Sequence, residues 1–147
     1  MGGLWIPLEV VGALLLAVVV LTAAVVARRR WLSRGLGTFD CSLRTVEASL
    51  GKGWRLGVAR YEADRIEWFR VFSARVRPSR VLRRGDVMVQ GRRYPQGPEA
   101  FSVMPGSIVL RCRDRGRFVE LAMSEQASTG FASWLEAAPP GQNVSVA

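Results

Sequence analysis

The arginines that begin at position 75 are the side chains with the clearest capacity for chemistry in this sequence. Five of them fall within ten positions that contain no acidic residue, and two more follow shortly afterwards. The seven are Arg75, Arg77, Arg80, Arg83, Arg84, Arg92 and Arg93. A guanidinium group binds phosphate or carboxylate through two parallel hydrogen bonds. These arginines are therefore predicted to bind an anionic membrane surface or an acidic partner.

A solvated basic face that binds nothing is the alternative interpretation of the same residues. The chain has 21 Lys plus Arg against 12 Asp plus Glu, and Lys52 is its only lysine. Such a preference for arginine is typical of GC-rich coding sequence and requires no function. The clustering of the arginines is what favours a binding surface. Nucleic acid is an unlikely ligand, because no recognition motif accompanies the charge.

Catalytic and metal-binding chemistry has few candidates. The chain contains no histidine, the commonest general base and a common zinc ligand. Two cysteines, Cys41 and Cys112, are too few for a four-ligand zinc site and are interpreted as small buried side chains. Ser49 and Lys52 match the Ser-x-x-Lys pattern of penicillin-recognising enzymes without their other motifs. We predict no enzyme, cofactor or metal, and keep a small membrane enzyme as a remote alternative.

One segment is apolar enough to cross a membrane. Val10 to Ala27 contains no charged residue and no proline, and its apolar residues lie on all sides of a helix. Its length is close to that of a helix crossing the hydrocarbon core. Trp5 and Trp31 flank it, about 39 Å apart along a helix, which is near the spacing of the two interfacial belts where Trp concentrates. The sequence therefore predicts a single transmembrane helix.

The charges around this segment predict its orientation. No Lys or Arg precedes it, whereas Arg28, Arg29, Arg30 and Arg34 follow it. Lys and Arg are enriched on the cytoplasmic side of membrane helices. The N-terminus is thus expected outside the inner membrane and everything after the helix in the cytoplasm. A cleaved signal peptide has its positive charge before the apolar region instead, so the helix is expected to remain attached.

The sequence divides into four predicted parts. These are a transmembrane helix with its basic flank (1–32), a linker (33–38), a folded domain (39–139) and a disordered tail (140–147). The linker has glycines and no apolar run. The domain has roughly 100 residues, which is enough for a core of its own.

The periodicity of the domain predicts its fold class. Apolar and polar residues alternate in about seven short stretches, such as Phe39–Leu43, which is the pattern of strands. The segment "RDRGR" predicts a hairpin turn with Gly116 at positive φ. After Ser124, a predicted N-cap, apolar residues recur at helical spacing. The fold is therefore predicted to be α+β, a small antiparallel sandwich or barrel capped by a C-terminal helix.

Two resemblances can be attached to these stretches. Seven strands followed by one helix with Trp134 on its inner face resembles the pleckstrin-homology superfold. More narrowly, "RYEADRIEWFRVFS", "VLRC" and "TGFASWLEAAPPG" are similar to an uncharacterised actinobacterial family of single-span membrane proteins, domain of unknown function 2550. That family implies no activity.

The predicted function combines the helix with the arginines. We expect a membrane-anchored cytoplasmic interaction module, a non-catalytic accessory or adaptor protein at the inner membrane face. Its partners would be the lipid bilayer, through the N-terminal helix, and either anionic lipid head groups or an acidic membrane protein. A sensor of anionic lipid head groups is the alternative function.

Overall fold

The structure, a computed structural model, describes residues 5–35, 37–45 and 52–137. The predicted tail and Ser49 lie outside the described residues. The chain begins with a long helix, α1 (Trp5–Ser33). Its segment Pro7–Trp31 is long and apolar enough to cross a membrane. The apolar window of this segment is not buried against the rest of the protein.

Seven antiparallel strands follow and form one curled sheet, a half-barrel. They are β1 (Thr38–Thr45), β2 (Gly57–Tyr61), β3 (Arg65–Arg70), β4 (Arg80–Arg83), β5 (Val87–Arg93), β6 (Ser107–Asp114) and β7 (Arg117–Ser124). Their order across the sheet is β4-β3-β2-β1-β7-β6-β5, so β1 pairs with both β2 and β7. Two short 3-10 helices, Arg84–Asp86 and Gly97–Phe101, lie between strands. The predicted α+β class is confirmed.

The hairpin between β6 and β7 has the geometry that the sequence predicts. Its two turn residues, Arg115 and Gly116, have φ angles of 48° and 80°. Two consecutive positive φ angles match the twist of the flanking strands in a two-residue turn. The turn sets the register in which Asp114 pairs with Arg117.

The hydrophobic core lies on the concave face of the half-barrel. Side chains from every strand contribute to it, among them Leu43, Ile66 and Ile108. Cys41 and Cys112 are buried in this core and carry free thiols, as interpreted from the sequence. Burial, which disfavours the thiolate, raises the pKa of Cys112 to about 12. Both cysteines are therefore packing residues.

A C-terminal helix, α2 (Glu125–Glu136), packs against this core. The side chain of Ser124 accepts a hydrogen bond from the backbone N–H of Ala127, which confirms the predicted N-cap. Phe131 is fully buried. The indole N–H of Trp134 donates to the carbonyl of Glu62 (3.3 Å) in the turn between β2 and β3. The helix thus closes one side of the half-barrel.

Candidate functional site

A cavity of about 770 Å³ lies between the ends of β1 and β3 and the loop that joins β3 to β4. Five arginines line it: Arg55, Arg70, Arg75, Arg77 and Arg80. Among the residues that the structure describes, no carboxylate lines it. We call this space the basic cavity. It is wide enough for a phosphate-bearing group and is lined by the side chains best suited to bind one.

A tryptophan, Trp68 on β3, forms part of the wall of the basic cavity. Its indole N–H donates to the carbonyl of Cys41 (2.8 Å), which fixes the ring across β2 and β1. The ring lies directly over Gly57, where a Cβ atom would come within 2.4 Å of it. Only glycine at position 57 leaves room for the ring in this position.

The loop between β3 and β4 positions two of the arginines. It is held at both ends, since the backbone N–H of Val71 donates to Leu56 (3.1 Å) and that of Ser79 donates to Trp68 (2.8 Å). Pro78 has no N–H to donate to a sheet, so the stretch does not continue as a strand. Arg75 and Arg77 therefore lie in an exposed connection, as the proline predicts.

Among the described residues, most of the arginines in the basic cavity have no carboxylate partner. Arg80 is the exception, because its Nη2 atom lies 3.0 Å from Oδ2 of the largely buried Asp114 on β6. The other four arginines form no salt bridge within the described part of the chain. Like charges gathered around one concave space raise the local potential and attract an anion.

The seven arginines predicted as one surface are separated in the structure. Arg75, Arg77 and Arg80 line the basic cavity. Arg83 is exposed on β4, and Arg84 lies 4.5 Å from the centre of the Trp134 ring.

The last two predicted arginines lie on or next to β5 and are paired with carboxylates. Arg92 bonds to Glu125 (2.7 Å), which raises the pKa of the arginine. Arg93 joins a second group of charges on the convex face of the sheet.

This second group, which we call the charge cluster, consists of Arg44, Arg93, Glu99 and Glu120. Arg44 and Glu120 are cross-strand partners on β1 and β7, and the Nε atom of Arg44 donates to Glu120 (2.9 Å). Arg93 donates to Glu99 (2.6 and 2.8 Å) and to Glu120 (3.2 Å). The residues of the 3-10 helix Gly97–Phe101 bring Glu99 over this group. Arg44, Glu99 and Glu120 are each 4% exposed.

The charge cluster stabilises the fold rather than offering a binding site. The hydrogen bond from Arg93 is the main cause that lowers the pKa of Glu99 to about 2. The indole N–H of Trp54 also donates to Glu99 (3.2 Å), and the guanidinium of Arg44 lies 5.1 Å from the Trp54 ring. Paired charges that are this well enclosed are not available to a ligand.

Sequence reasoning missed two arginines of the basic cavity. Arg70 follows Trp68 by two positions on β3, so the two side chains lie on the same face of the strand. This period-2 relation was the signal that could have placed Arg70 beside Trp68. Arg55 is placed by an isolated bridge to Leu43, with backbone hydrogen bonds of 3.0 and 2.9 Å. No local pattern predicts that bridge.

The end of α1 contacts the domain directly, beside the basic cavity. The Nη2 atom of Arg28 donates to the carbonyl of Arg75 in the β3–β4 loop (2.5 Å). Arg29 forms a salt bridge with Asp40 on β1 (3.0 Å). Thus two of the predicted anchoring arginines hold the domain against the helix.

The other predicted anchoring residues make no such contact in the described structure. Arg30, Trp31 and Arg34 are exposed, and the side chain of Trp5 lies outside the described residues.

A small apolar cavity of about 170 Å³ separates α1 from the convex face of the sheet. Val25 and Val26 line it from the helix, and Ser42, Leu56 and Phe72 are among the residues that line it from the domain. The apolar segment of α1 therefore reaches the surface of the domain without an intervening spacer.

The first part of β1 packs beside the last turns of α1. Arg29 contacts Asp40, and the small apolar cavity is lined by Val25, Val26 and Arg29 from the helix and by Asp40 and Ser42 from the strand. The basic cavity begins a few residues farther along β1, at Leu43 and Thr45.

A comparison with known families identifies the chain. The model of a family described as protein of unknown function (DUF2550) matches residues 15–141. The chain belongs to this family. The match takes in the last two-thirds of α1 together with the whole domain, which confirms the family predicted from three short stretches. The likeness to the pleckstrin-homology superfold stays a prediction.

Curated relatives come from mycobacteria. An uncharacterized protein of Mycobacterium leprae is 39% identical over 129 residues, which are 83% of this chain and 86% of the relative. An uncharacterized protein of Mycobacterium tuberculosis is 40% identical over 129 residues, with the same shares covered.

Proposed function

We propose that this DUF2550 protein is a membrane-anchored, non-catalytic module whose domain binds the anionic head group of a lipid in the basic cavity. One observation carries the proposal. Four arginines that have no carboxylate partner among the described residues surround one cavity, next to the end of a helix that is apolar enough to cross a membrane. Arginine forks are the side chains best matched to phosphate.

The position of the basic cavity favours a lipid over a soluble ligand. Asp40 near the start of β1 pairs with Arg29 of α1, and Leu43 and Thr45 of the same strand line the cavity, so the cavity is only a few residues along β1 from the helix contact. Arg75 lines the cavity and is itself held by Arg28 at the helix end. A head group of the membrane that α1 would cross is therefore the ligand we propose.

Magnitudes indicate what such binding would do. A basic residue near an anionic surface contributes about 1 kcal/mol. A transmembrane helix anchors a protein far more firmly than a few such contacts. Head-group binding would consequently select the lipid and orient the domain, rather than keep the protein at the membrane.

The proposal includes an orientation, with the N-terminus outside and the domain in the cytoplasm of the inner membrane. It is supported by the four arginines that follow the apolar segment. The test fuses green fluorescent protein or alkaline phosphatase after Ala147. Fluorescence without phosphatase activity is expected. Phosphatase activity would contradict the orientation, and removal of the apolar segment from the mature protein would contradict the anchoring.

Lipid binding itself is tested on the full-length chain by native mass spectrometry in detergent. We expect phosphatidylglycerol to be retained at lower lipid concentration than phosphatidylcholine, and this preference to weaken with salt. Equal retention of the two lipids would refute a head-group site. Displacement of phosphatidylglycerol by a polyglutamate peptide at equal concentration would instead favour the accessory or adaptor function with an acidic protein partner.

A further inference from the structure

The β3–β4 loop, Val71–Ser79, presents two large apolar side chains to the outside of the domain. Phe72 is 66% exposed and Val76 is 68% exposed. Phe72 lies three positions before Arg75, and Val76 lies between Arg75 and Arg77, two arginines of the basic cavity. Two large exposed apolar side chains on one short loop suit a surface that meets an apolar phase or partner.

This loop is fixed against the part of α1 that belongs to the apolar segment. Phe72 lines the small apolar cavity together with Val25 and Val26. Arg28 holds the backbone of the loop through the carbonyl of Arg75. The loop therefore cannot lie far from the bilayer in which α1 is embedded.

The depth of the loop can be derived from the helix. Val26 precedes Trp31 by five positions, about 7.5 Å along a helix. Trp concentrates at the head-group level of a membrane. With Trp31 at that level, Val26 and the neighbouring Phe72 lie at the boundary between head groups and acyl chains.

We infer that the β3–β4 loop is a second membrane contact, in which Phe72 and Val76 enter the acyl boundary of the bilayer beside α1. The occupant of this surface is lipid, because the surface is continuous with a helix whose apolar window is not buried by the rest of the protein. The interleaving of Phe72 and Val76 with arginines matches interfacial segments, which bury apolar side chains and keep charged groups at the phosphates.

This contact would complement the head-group site. The inference rests on the membrane anchoring proposed above, but not on the occupancy of the basic cavity. Helix and loop together would fix the domain at two points, with the mouth of the basic cavity against the membrane surface.

The test places a fluorophore at the loop in the full-length protein. Phe72→Cys and Val76→Cys are labelled separately with an environment-sensitive maleimide, and the protein is reconstituted in phosphatidylcholine nanodiscs. The native Cys41 and Cys112 are buried and have raised pKa values, so the unsubstituted chain should take up no label. Phospholipids with a spin label near the head group then report contact by quenching.

The matched control is Ala63→Cys in the turn between β2 and β3. Ala63 is exposed, and its turn lies at the end of the sheet where Arg60 pairs with Thr38, away from the basic cavity. We expect blue-shifted emission and at least several-fold stronger quenching at positions 72 and 76 than at position 63. Equal quenching at the three positions would overturn the inference.

Salt and lipid charge separate this inference from the head-group site. Insertion of apolar side chains should persist at high salt and in discs without anionic lipid. Quenching that is found only with phosphatidylglycerol and vanishes at high salt would overturn insertion and assign the contact to the arginines. Conversely, a failure to prefer phosphatidylglycerol would leave the quenching at positions 72 and 76 unchanged.

Discussion

The charge cluster and the basic cavity are built from the same residue type and differ in their partners. In the charge cluster, Arg44 and Arg93 are held by two buried glutamates on the convex face of the sheet. In the basic cavity, four of five arginines have no carboxylate partner within the described structure. The charge cluster neutralises its own arginines, whereas the basic cavity leaves arginines available to an anionic ligand.

This difference shows why a count of arginines is a poor guide to a binding site. Arg93 belongs to the same run of basic residues as Arg75 and Arg77, yet it stabilises the fold. The partners that decide its role, Glu99 and Glu120, are brought to it by tertiary structure. Substitutions in the two regions should accordingly have opposite effects on stability and on binding.

The largest effect is expected in the charge cluster. Glu120→Ala leaves Arg44 buried without its main partner, which should cost about 3–5 kcal/mol of unfolding free energy. Chemical denaturation of the full-length chain in detergent measures this cost. Glu125→Ala is the control, since it removes an exposed partner of Arg92 and should cost far less. Equal losses for the two variants would remove the distinction between buried and exposed pairs.

A smaller loss is expected beneath the basic cavity. In Gly57→Ala the new methyl group would meet the Trp68 ring, which has to shift. Overpacking of this kind costs about 1–3 kcal/mol. The thermal midpoint should fall. In a Trp68→Leu background, where the ring is absent, Gly57→Ala should lower the midpoint less. An unchanged midpoint in Gly57→Ala would mean that stability does not depend on packing of the Trp68 ring against Gly57.

The pH dependence of stability should sharpen the comparison further. The pKa of Glu99 is lowered in the folded protein, to about 2 from its ordinary 4.5. Its contribution is therefore complete above the unfolded-state pKa and is lost as pH falls from about 5 towards 2. Glu99→Gln should be less stable than the parent at neutral pH, and this difference should shrink over that interval. A difference that is constant from pH 5 to 2 would contradict the role given to Glu99.

The smallest effect on stability is expected in the basic cavity itself. Arg75→Gln with Arg77→Gln changes two exposed side chains on a loop, each worth within about 0.5 kcal/mol. The denaturation midpoint should stay close to that of the parent. A loss comparable to that of Glu120→Ala would show that these arginines support the fold as well.

The fold was accessible from the sequence where local rules decide it. Three features each depend on a few neighbouring residues. They are the alternation of apolar and polar residues in the strands, the N-cap at Ser124 and the positive φ at Gly116. The order of strands across the sheet depends on pairing between distant parts, such as Arg44 with Glu120. No sequence pattern near Arg44 predicts Glu120 as its partner.

The candidate site was predicted in part, for the same reason. Pro78 predicts the exposed loop that carries Arg75 and Arg77. Arg55 reaches the basic cavity only through its bridge to β1, and Arg93 leaves the predicted surface through contacts with Glu99 and Glu120. Which arginines remain unpaired is a property of the folded sheet.

The central claim is that the arginines of the basic cavity bind an anionic head group. It is tested most directly by two matched double variants of the full-length chain, Arg75→Gln with Arg77→Gln and Arg83→Gln with Arg84→Gln. Each removes two positive charges from the same stretch of sequence, and both keep Arg28, Arg29 and Arg30 at the helix end. Only the first pair lines the basic cavity.

Phosphatidylglycerol retained by each variant is counted by native mass spectrometry over a range of salt concentrations. The first variant should lose most of the preference for phosphatidylglycerol over phosphatidylcholine, while the second should keep it. Equal retention by both variants and the parent, or equal loss in both variants, would contradict a specific site in the basic cavity.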